Sequence, residues 1–152
     1  MTKRILVATD FSPASAPAFR HAVALCREGR ASLLVAHVLE PPFPMTTEGY
    51  VLPQMYDEIF AAVRVEAEKK MRKLLAAARR AGVPARGLLL RGSPHDAITR
   101  AARSHRAGQI VVGTHGRSGW SRLVLGSVAS RVMATSGRPV LVVPARRERR
   151  TR

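Results

Sequence analysis

Ile110-Val111-Val112-Gly113-Thr114-His115-Gly116 sets a short, unbroken apolar run directly against a turn bounded by glycines. An apolar run without polar alternation marks a strand covered on both faces. Runs of the same kind occur at Ile5-Leu6-Val7-Ala8, at Leu33-Leu34-Val35-Ala36-His37-Val38 and at Leu88-Leu89-Leu90. A final one, Val140-Leu141-Val142-Val143, is flanked by Pro139 and Pro144. Helical segments separate these strands. The alternation implies βαβ units, a parallel sheet, right-handed crossovers and helices on both faces.

The helices are bounded by recognisable signals. Ser12-Pro13 or Ser15 supplies an N-cap for the first, with Pro17 in its first turn; Phe19, Ala22, Val23 and Cys26 recur at helical spacing, and Gly29 is placed as the stop. Met55 to Ala81 is rich in Ala, Glu, Lys, Arg and Leu without Gly or Pro, and Gly82 and Pro84 close it. Ser93-Pro94 opens a third helix that reaches about Ser104. The last runs from Ser127 to Thr135, with Gly137 as its stop. Between the second strand and the long helix, Pro41, Pro42, Pro44, Gly49 and Pro53 predict an irregular loop long enough to act as a lid.

A chain of 152 residues, 46% hydrophobic, is sized for one domain with a real core. The expected division is a domain over 1–145 and a basic tail over 146–152. No apolar run reaches membrane-spanning length. Asp10 and Pro13 interrupt the start before a signal-peptide core can develop. The single cysteine, Cys26, excludes an internal disulfide framework. These features together predict a cytoplasmic protein without membrane insertion. The charge stands out: 26 Lys and Arg against 10 Asp and Glu give +16. The tail holds +4 of this, so most of the excess lies elsewhere, including Arg64, Lys69, Lys70, Arg72, Lys73, Arg79, Arg80, Arg100, Arg103 and Arg106. Such a surface attracts polyanions, and its plainest reading is a solvated basic exterior. No basic segment is interleaved with aromatics, which argues against a base-stacking platform.

Parallel sheets bind ligands beyond the carboxyl ends of their strands, where strand order reverses. Asp10, His37-Val38 and Gly113 all fall at such ends. The stretch from Gly113 to Ser127 carries Gly113, Gly116 and Gly126, with nine residues between the last two. Glycines there allow positive φ and a close approach of backbone to phosphate. Ser127 opens a helix whose free N–H groups and positive dipole end suit an anion. No Gly-x4-Gly-Lys-Ser/Thr is present, and no Gly-x-Gly-x-x-Gly follows strand one.

The spacing Gly113-x2-Gly116-x9-Gly126-Ser127 resembles the ATP-binding motif of the universal stress proteins. The resemblance extends over nearly the whole chain. It includes Ile5 to Ser12 as the opening strand and turn, Val111 to Ser118 as the fourth strand and loop, Gly126-Ser127-Val128-Ala129, and Pro139 to Pro144. It implies a single Rossmann-like, three-layer α/β domain of the adenine nucleotide alpha hydrolase-like kind. The sheet would have five parallel strands in the order 3-2-1-4-5, with about four helices. It also implies residue roles. Asp10 would contact the ribose hydroxyls, with Ala8 and Thr9 beside it, and Val38 would meet adenine through its main chain. Val112 and Gly113 would flank the nucleoside. Gly116, Gly126, Ser127 and Val128 would hold the phosphates, with Arg117 and Ser118 nearby. The expected ligand is ATP, with Mg²⁺ only through its phosphates. The expected assembly is a homodimer paired through strand five, Val140 to Val143. Gly108-Gln109 departs from the family, which often has an acidic residue there, and the basicity is also unusual for it.

Three functions compete on these residues. A regulatory ATP-binding module in stress response is the first. An ATP-hydrolysing enzyme of the same fold is the second; phosphoryl transfer needs an oriented nucleophile and charge neutralisation, and no base or second carboxylate for Mg²⁺ is evident, so at most slow hydrolysis is expected. The third is a polyanion- or nucleic-acid-binding protein using the +16 surface, weakened by deleting Arg146 to Arg152. No catalytic residue and no metal site is expected: His21, His37, His95 and His105 have no metal-ligand spacing. His115 has no evident catalytic partner in sequence and reads as loop support. Cys26 reads as core.

Overall fold

The computed structural model describes residues 3–40, 53–115 and 125–145. β1 spans Arg4–Ala8, α1 Ala16–Gly29, β2 Ser32–Leu39 and α2 Pro53–Arg80. They are followed by β3 (Ala85–Arg91), α3 (Pro94–Ser104), β4 (Gln109–Gly113), α4 (Ser127–Thr135) and β5 (Val140–Val143). The strands form one parallel sheet in the order β3-β2-β1-β4-β5. The expected α/β architecture and strand order are therefore the observed ones. Residues 41–52, most of the loop expected to act as a lid, and the tail over 146–152 lie outside the described residues, as do Gly116, Arg117 and Ser118.

The unbroken apolar runs follow from burial on both sides of the sheet. Ile5 and Val7 project into one core with Ala18, Phe19 and Ala22 of α1 and Met71 of α2. Leu6, between them, projects into the other core with Ile98 and Ala102 of α3 and Val132 of α4. Leu6, Val7, Leu33 and Ile110 are fully buried. Each such side chain contributes about 1.5–3 kcal/mol of hydrophobic stabilisation. Gly87 of β3 lets α2 sit close, because a Cβ there would stand 2.7 Å from Cγ of Met71.

One boundary expectation is corrected. Gly29 is the last helical residue of α1, and the left-handed stop falls one residue later, at Arg30 with φ 49°. Ser15 and Ser93 hold the N-cap positions as expected, but neither makes a cap hydrogen bond through its side chain. The Ser93 hydroxyl lies 3.1 Å from His95 Nδ1, and the Ser15 hydroxyl is drawn into the β1–α1 turn. The left-handed closure of α2 at Gly82 (φ 78°) is as expected, with the Gly82 N–H donating to Arg79 O at 2.9 Å.

Candidate functional site

The chain order reverses between β1 and β4. From β1 it runs outward through β2 to β3, then returns to β4 and β5 on the other side. The turns leaving β1 and β4 lead to helices on opposite faces, which opens a crevice at the carboxyl edge of the sheet. A cavity of about 320 Å³ occupies it, large enough for a small-molecule site.

The β1 side is organised by Thr9, which is buried. Its N–H donates to Ala36 O at 2.9 Å, and its carbonyl accepts from His37 Nδ1 at 2.8 Å. Its hydroxyl accepts the Phe11 N–H at 3.0 Å and lies 3.0 Å from Ser15 Oγ. Ser15 in turn donates to Ser12 O at 2.9 Å, which leaves Thr9 as donor to Ser15. Phe11 holds a left-handed φ of 62°, and its ring packs on His37 with centroids 4.3 Å apart. Such a conformation is costly for a bulky side chain, and these contacts fix it. Asp10 Oδ1 accepts the Ser12 N–H at 2.9 Å, so the carboxylate closes its own turn while lining the cavity.

The β4 side is organised by Thr114. Its N–H donates to Val143 O at 3.1 Å, and its carbonyl accepts the Gly126 N–H at 2.7 Å. This second bond draws the start of α4 against the end of β4. A Cβ on Gly126 would stand 2.8 Å from Thr114 O, so glycine is required there by close approach. Neither Gly113 nor Gly126 has a positive φ. The Gly126 N–H is committed to Thr114, and the N–H groups without intrahelical acceptors belong to the first turn that follows, Ser127, Val128 and Ala129. His115 Nδ1 lies 3.0 Å from Thr114 Oγ1. Its Nε2 is buried, has no hydrogen-bond partner among the described residues, and belongs to a ring that lines the cavity.

Of the residues singled out in the sequence, Ala8, Thr9, Asp10, Val38, Val112, Gly113 and Val128 line this one cavity. Gly126 and Ser127 stand beside it at the start of α4 without lining it. Sequence reasoning passes over Glu40 and Val63, over Ile98 and Ala129 on the helices, and over His115 as a lining group. Ile98 and Ala129 read only as helix core, since nothing local shows which core residues reach a cavity edge. No group of three or more metal-ligating side chains occurs among the described residues. No helix among the described residues is long and apolar enough to cross a membrane.

A parallel sheet covered on both faces, with a cavity at its reversal point, defines a Rossmann-like α/β protein. Residues 1–144 match the Universal stress protein family, and the chain belongs to it. Universal stress protein YxiE of Bacillus subtilis is 35% identical over 147 residues, covering 94% of this chain and 99% of that one. The structure of MJ0577, a universal stress protein of Methanocaldococcus jannaschii, superposes with a TM-score of 0.83 at 27% identity, covering 97% of this chain and 99% of that one. A universal stress protein crystallised in complex with cAMP superposes with a TM-score of 0.69 at 25% identity, covering 95% and 98% of the two chains.

Proposed function

We propose that this protein is a regulatory module that binds an adenine nucleotide, ATP foremost, in the cavity at the reversal point. The observation that carries the reading is the convergence of Asp10, the end of β2 at Val38 and the first turn of α4 on one cavity of about 320 Å³. In this reading Asp10 accepts the ribose hydroxyls, its turn already set by Ser12. The Val38 main chain meets the adenine edge, between apolar walls supplied by Ala36, Val112 and Ile98. Val112 and Gly113 flank the nucleoside. The Ser127 and Val128 N–H groups and the Ser127 hydroxyl hold phosphate at the positive end of the helix. Gly126 permits the approach, and Gly116, Arg117 and Ser118 complete the cradle. The relative crystallised with cAMP supports an adenine ligand.

Residues 1–145 form the binding domain, and 146–152 a basic extension of it. Mg²⁺ is carried by the nucleotide's own phosphates. In this reading the bound nucleotide acts as a signal, with at most slow hydrolysis. The protein pairs with a second copy through β5, all four residues of which are half-buried on the open edge of the sheet.

Titration calorimetry with ATP tests this. Micromolar binding is expected for the parent. Asp10→Asn, which keeps an oxygen for the Ser12 turn, is expected to lose tenfold or more, in the range for a hydrogen bond to a charged group. Absence of ATP binding by the parent, or equal affinity in Asp10→Asn, overturns the proposal.

A further inference from the structure

The positive charge of this chain is segregated. From Lys69 to Arg147 the sequence contains one carboxylate, Asp96. Parallel topology converts part of this bias into a surface. In a βα-repeating sheet the strands begin, and the helices end, at the edge opposite the ligand cavity. Main-chain contacts tie that edge together here. Ser32 N–H donates to Lys3 O and Gly108 N–H to Arg4 O, each at 2.9 Å.

Lys3 and Arg4 begin β1, and Arg138 leads into β5. Arg27 and Arg30 close α1, and Arg79 and Arg80 close α2. Arg103 and Arg106 close α3. Arg138 is half-buried, and the other eight are exposed. Glu28 is the one carboxylate among the described residues at this edge. Asp10, Glu40, Asp57 and Asp96 all lie toward the cavity end.

Part of this charge serves the helices. Arg4 donates to His105 O at 3.0 Å and Arg138 to Ala107 O at 2.6 Å, at the end of α3. Helix-end compensation is too small to account for the rest. Each helix C-terminus carries about −0.5 charge. Four of them offset about two of the net eight positive charges, leaving roughly +6 on one edge. The five strands span about 19 Å at ~4.8 Å spacing. Duplex DNA presents about eleven phosphates over that length.

We infer that this edge is a docking surface for the phosphate backbone of double-stranded nucleic acid, independent of the nucleotide cavity. Eight of its nine cations are arginines, whose planar donors match phosphate oxygens in pairs. The described Phe and Tyr residues lie elsewhere: Phe11 in the β1–α1 turn, Phe19 in the core, Tyr56 and Phe60 in the first turns of α2. Among the described residues no Phe, Tyr or Trp therefore stands at this edge to stack on unpaired bases, which favours a duplex over a single strand. A lipid surface would need apolar anchors, and among the described residues Met133 is the one exposed large apolar side chain near this end. Recognition rests on backbone charge and is indifferent to sequence.

Fluorescence anisotropy with a labelled 20-base-pair duplex, at several salt concentrations, tests the assignment on the full chain. Affinity is expected to fall steeply with salt, with a slope near −0.9 per phosphate neutralised. R27Q/R80Q/R103Q/R106N is expected to weaken binding by tenfold or more and to flatten the slope by up to about 3.6 units. The substituted side chains make no described structural hydrogen bond, and circular dichroism verifies the fold. K69Q/K70Q/R72Q/K73Q, with the same change in charge on α2, is expected to retain most of the affinity. Saturating ATP is expected to leave binding unchanged. Equal loss in both variants shows an effect of net charge alone and overturns the assignment. Loss confined to a chain lacking residues 146–152, displacement by ATP, preference for anionic vesicles, or no duplex binding at low salt would each overturn it too.

Discussion

His37 Nδ1 donates to the carbonyl of Thr9 at 2.8 Å, so a buried side chain at the end of β2 holds the main chain where it leaves β1. The same imidazole packs against Phe11, whose left-handed backbone turns the chain toward α1. His37→Ala removes both contacts and leaves the Thr9 carbonyl without this donor. A loss of about 1–3 kcal/mol in unfolding free energy is expected. His37→Asn, whose amide N–H can occupy the Nδ1 position, should recover part of it. Urea unfolding of the three proteins measures the difference, and equal stability of parent and His37→Ala would show that the bond organises nothing.

Arg30 ends α1 at φ 49°, a conformation that strains any residue with a Cβ. The left-handed region costs roughly 1–2 kcal/mol for an L-residue, and glycine enters it freely. Substitution also removes a charge at a helix C-terminus, so the informative comparison lies between two uncharged variants. Arg30→Gly is expected to be more stable than Arg30→Ala by about 1 kcal/mol, despite glycine's more flexible unfolded chain. Thermal unfolding decides it; Arg30→Ala as the more stable protein would contradict the strain.

The fold was legible because its strands are buried on both faces. Runs such as Ile110-Val111-Val112 have few structural uses, and helical segments between five of them leave a parallel sheet as the solution. Helix ends were legible at Gly82 and Ser127, where local chemistry decides. They were misread at Gly29, because the left-handed position is fixed by where the helix stops packing and Arg30 tolerates the strain. Part of the cavity was legible in the same way, since Asp10, His37, Val38 and Gly113 stand at strand ends, whereas Ala8, Thr9, Val112 and Val128 came only through the resemblance to the family. Ile98, Ala129 and Val63 were not, because their place on the cavity wall depends on how far each helix slides across the sheet. Gly126 was legible as a glycine requirement for a different reason from the one that operates: the constraint is the Thr114 carbonyl, not a positive φ.

Cys26 lies on the buried face of α1, and burial pushes its thiol up to about 11 from 9.0. A raised acid means that the folded state holds the proton more tightly than the unfolded chain. The resulting stability is fully present below pH 9 and is lost as pH rises through about 11. The parent should therefore lose stability over that window more steeply than Cys26→Ala, although Cys26→Ala starts lower because it leaves a small cavity. At pH 7.5 the native thiol should react with an aromatic disulfide reagent only as fast as the protein opens. Rapid stoichiometric labelling would contradict the burial.

β5 offers a direct test of the proposed pairing. Pro139 O and Val143 O accept from Ile110 of β4 and from Thr114 just beyond it. Main-chain groups of a strand alternate between its two sides, so the Val142 N–H points away from β4, toward the open edge. Val142→Pro removes that donor while leaving the β4 ladder intact, and proline is tolerated on an edge. The expected result is a monomer by light scattering with near-parental helix and sheet content. A dimer of unchanged affinity would place the contact elsewhere.

His115 carries the most specific prediction about the cavity. If the Thr114 hydroxyl donates to Nδ1 across their 3.0 Å contact, the ring is held in the tautomer that keeps its proton on Nε2. That Nε2 is buried and without a described partner, on a ring lining the cavity next to the start of α4. A buried donor without an acceptor costs about 1–3 kcal/mol, and a phosphate oxygen at the proposed subsite would satisfy it. His115→Leu is expected to weaken ATP binding by tenfold or more while adenosine, which has no phosphate, binds as it does to the parent. His115→Gln, whose side-chain N–H reaches close to the Nε2 position, should recover much of the loss. Calorimetry with adenosine, AMP and ATP against the three proteins resolves the step at which the effect begins. An equal loss for adenosine would make the ring a packing element of the loop, whereas a loss that first appears with AMP would place Nε2 on the phosphate nearest the ribose.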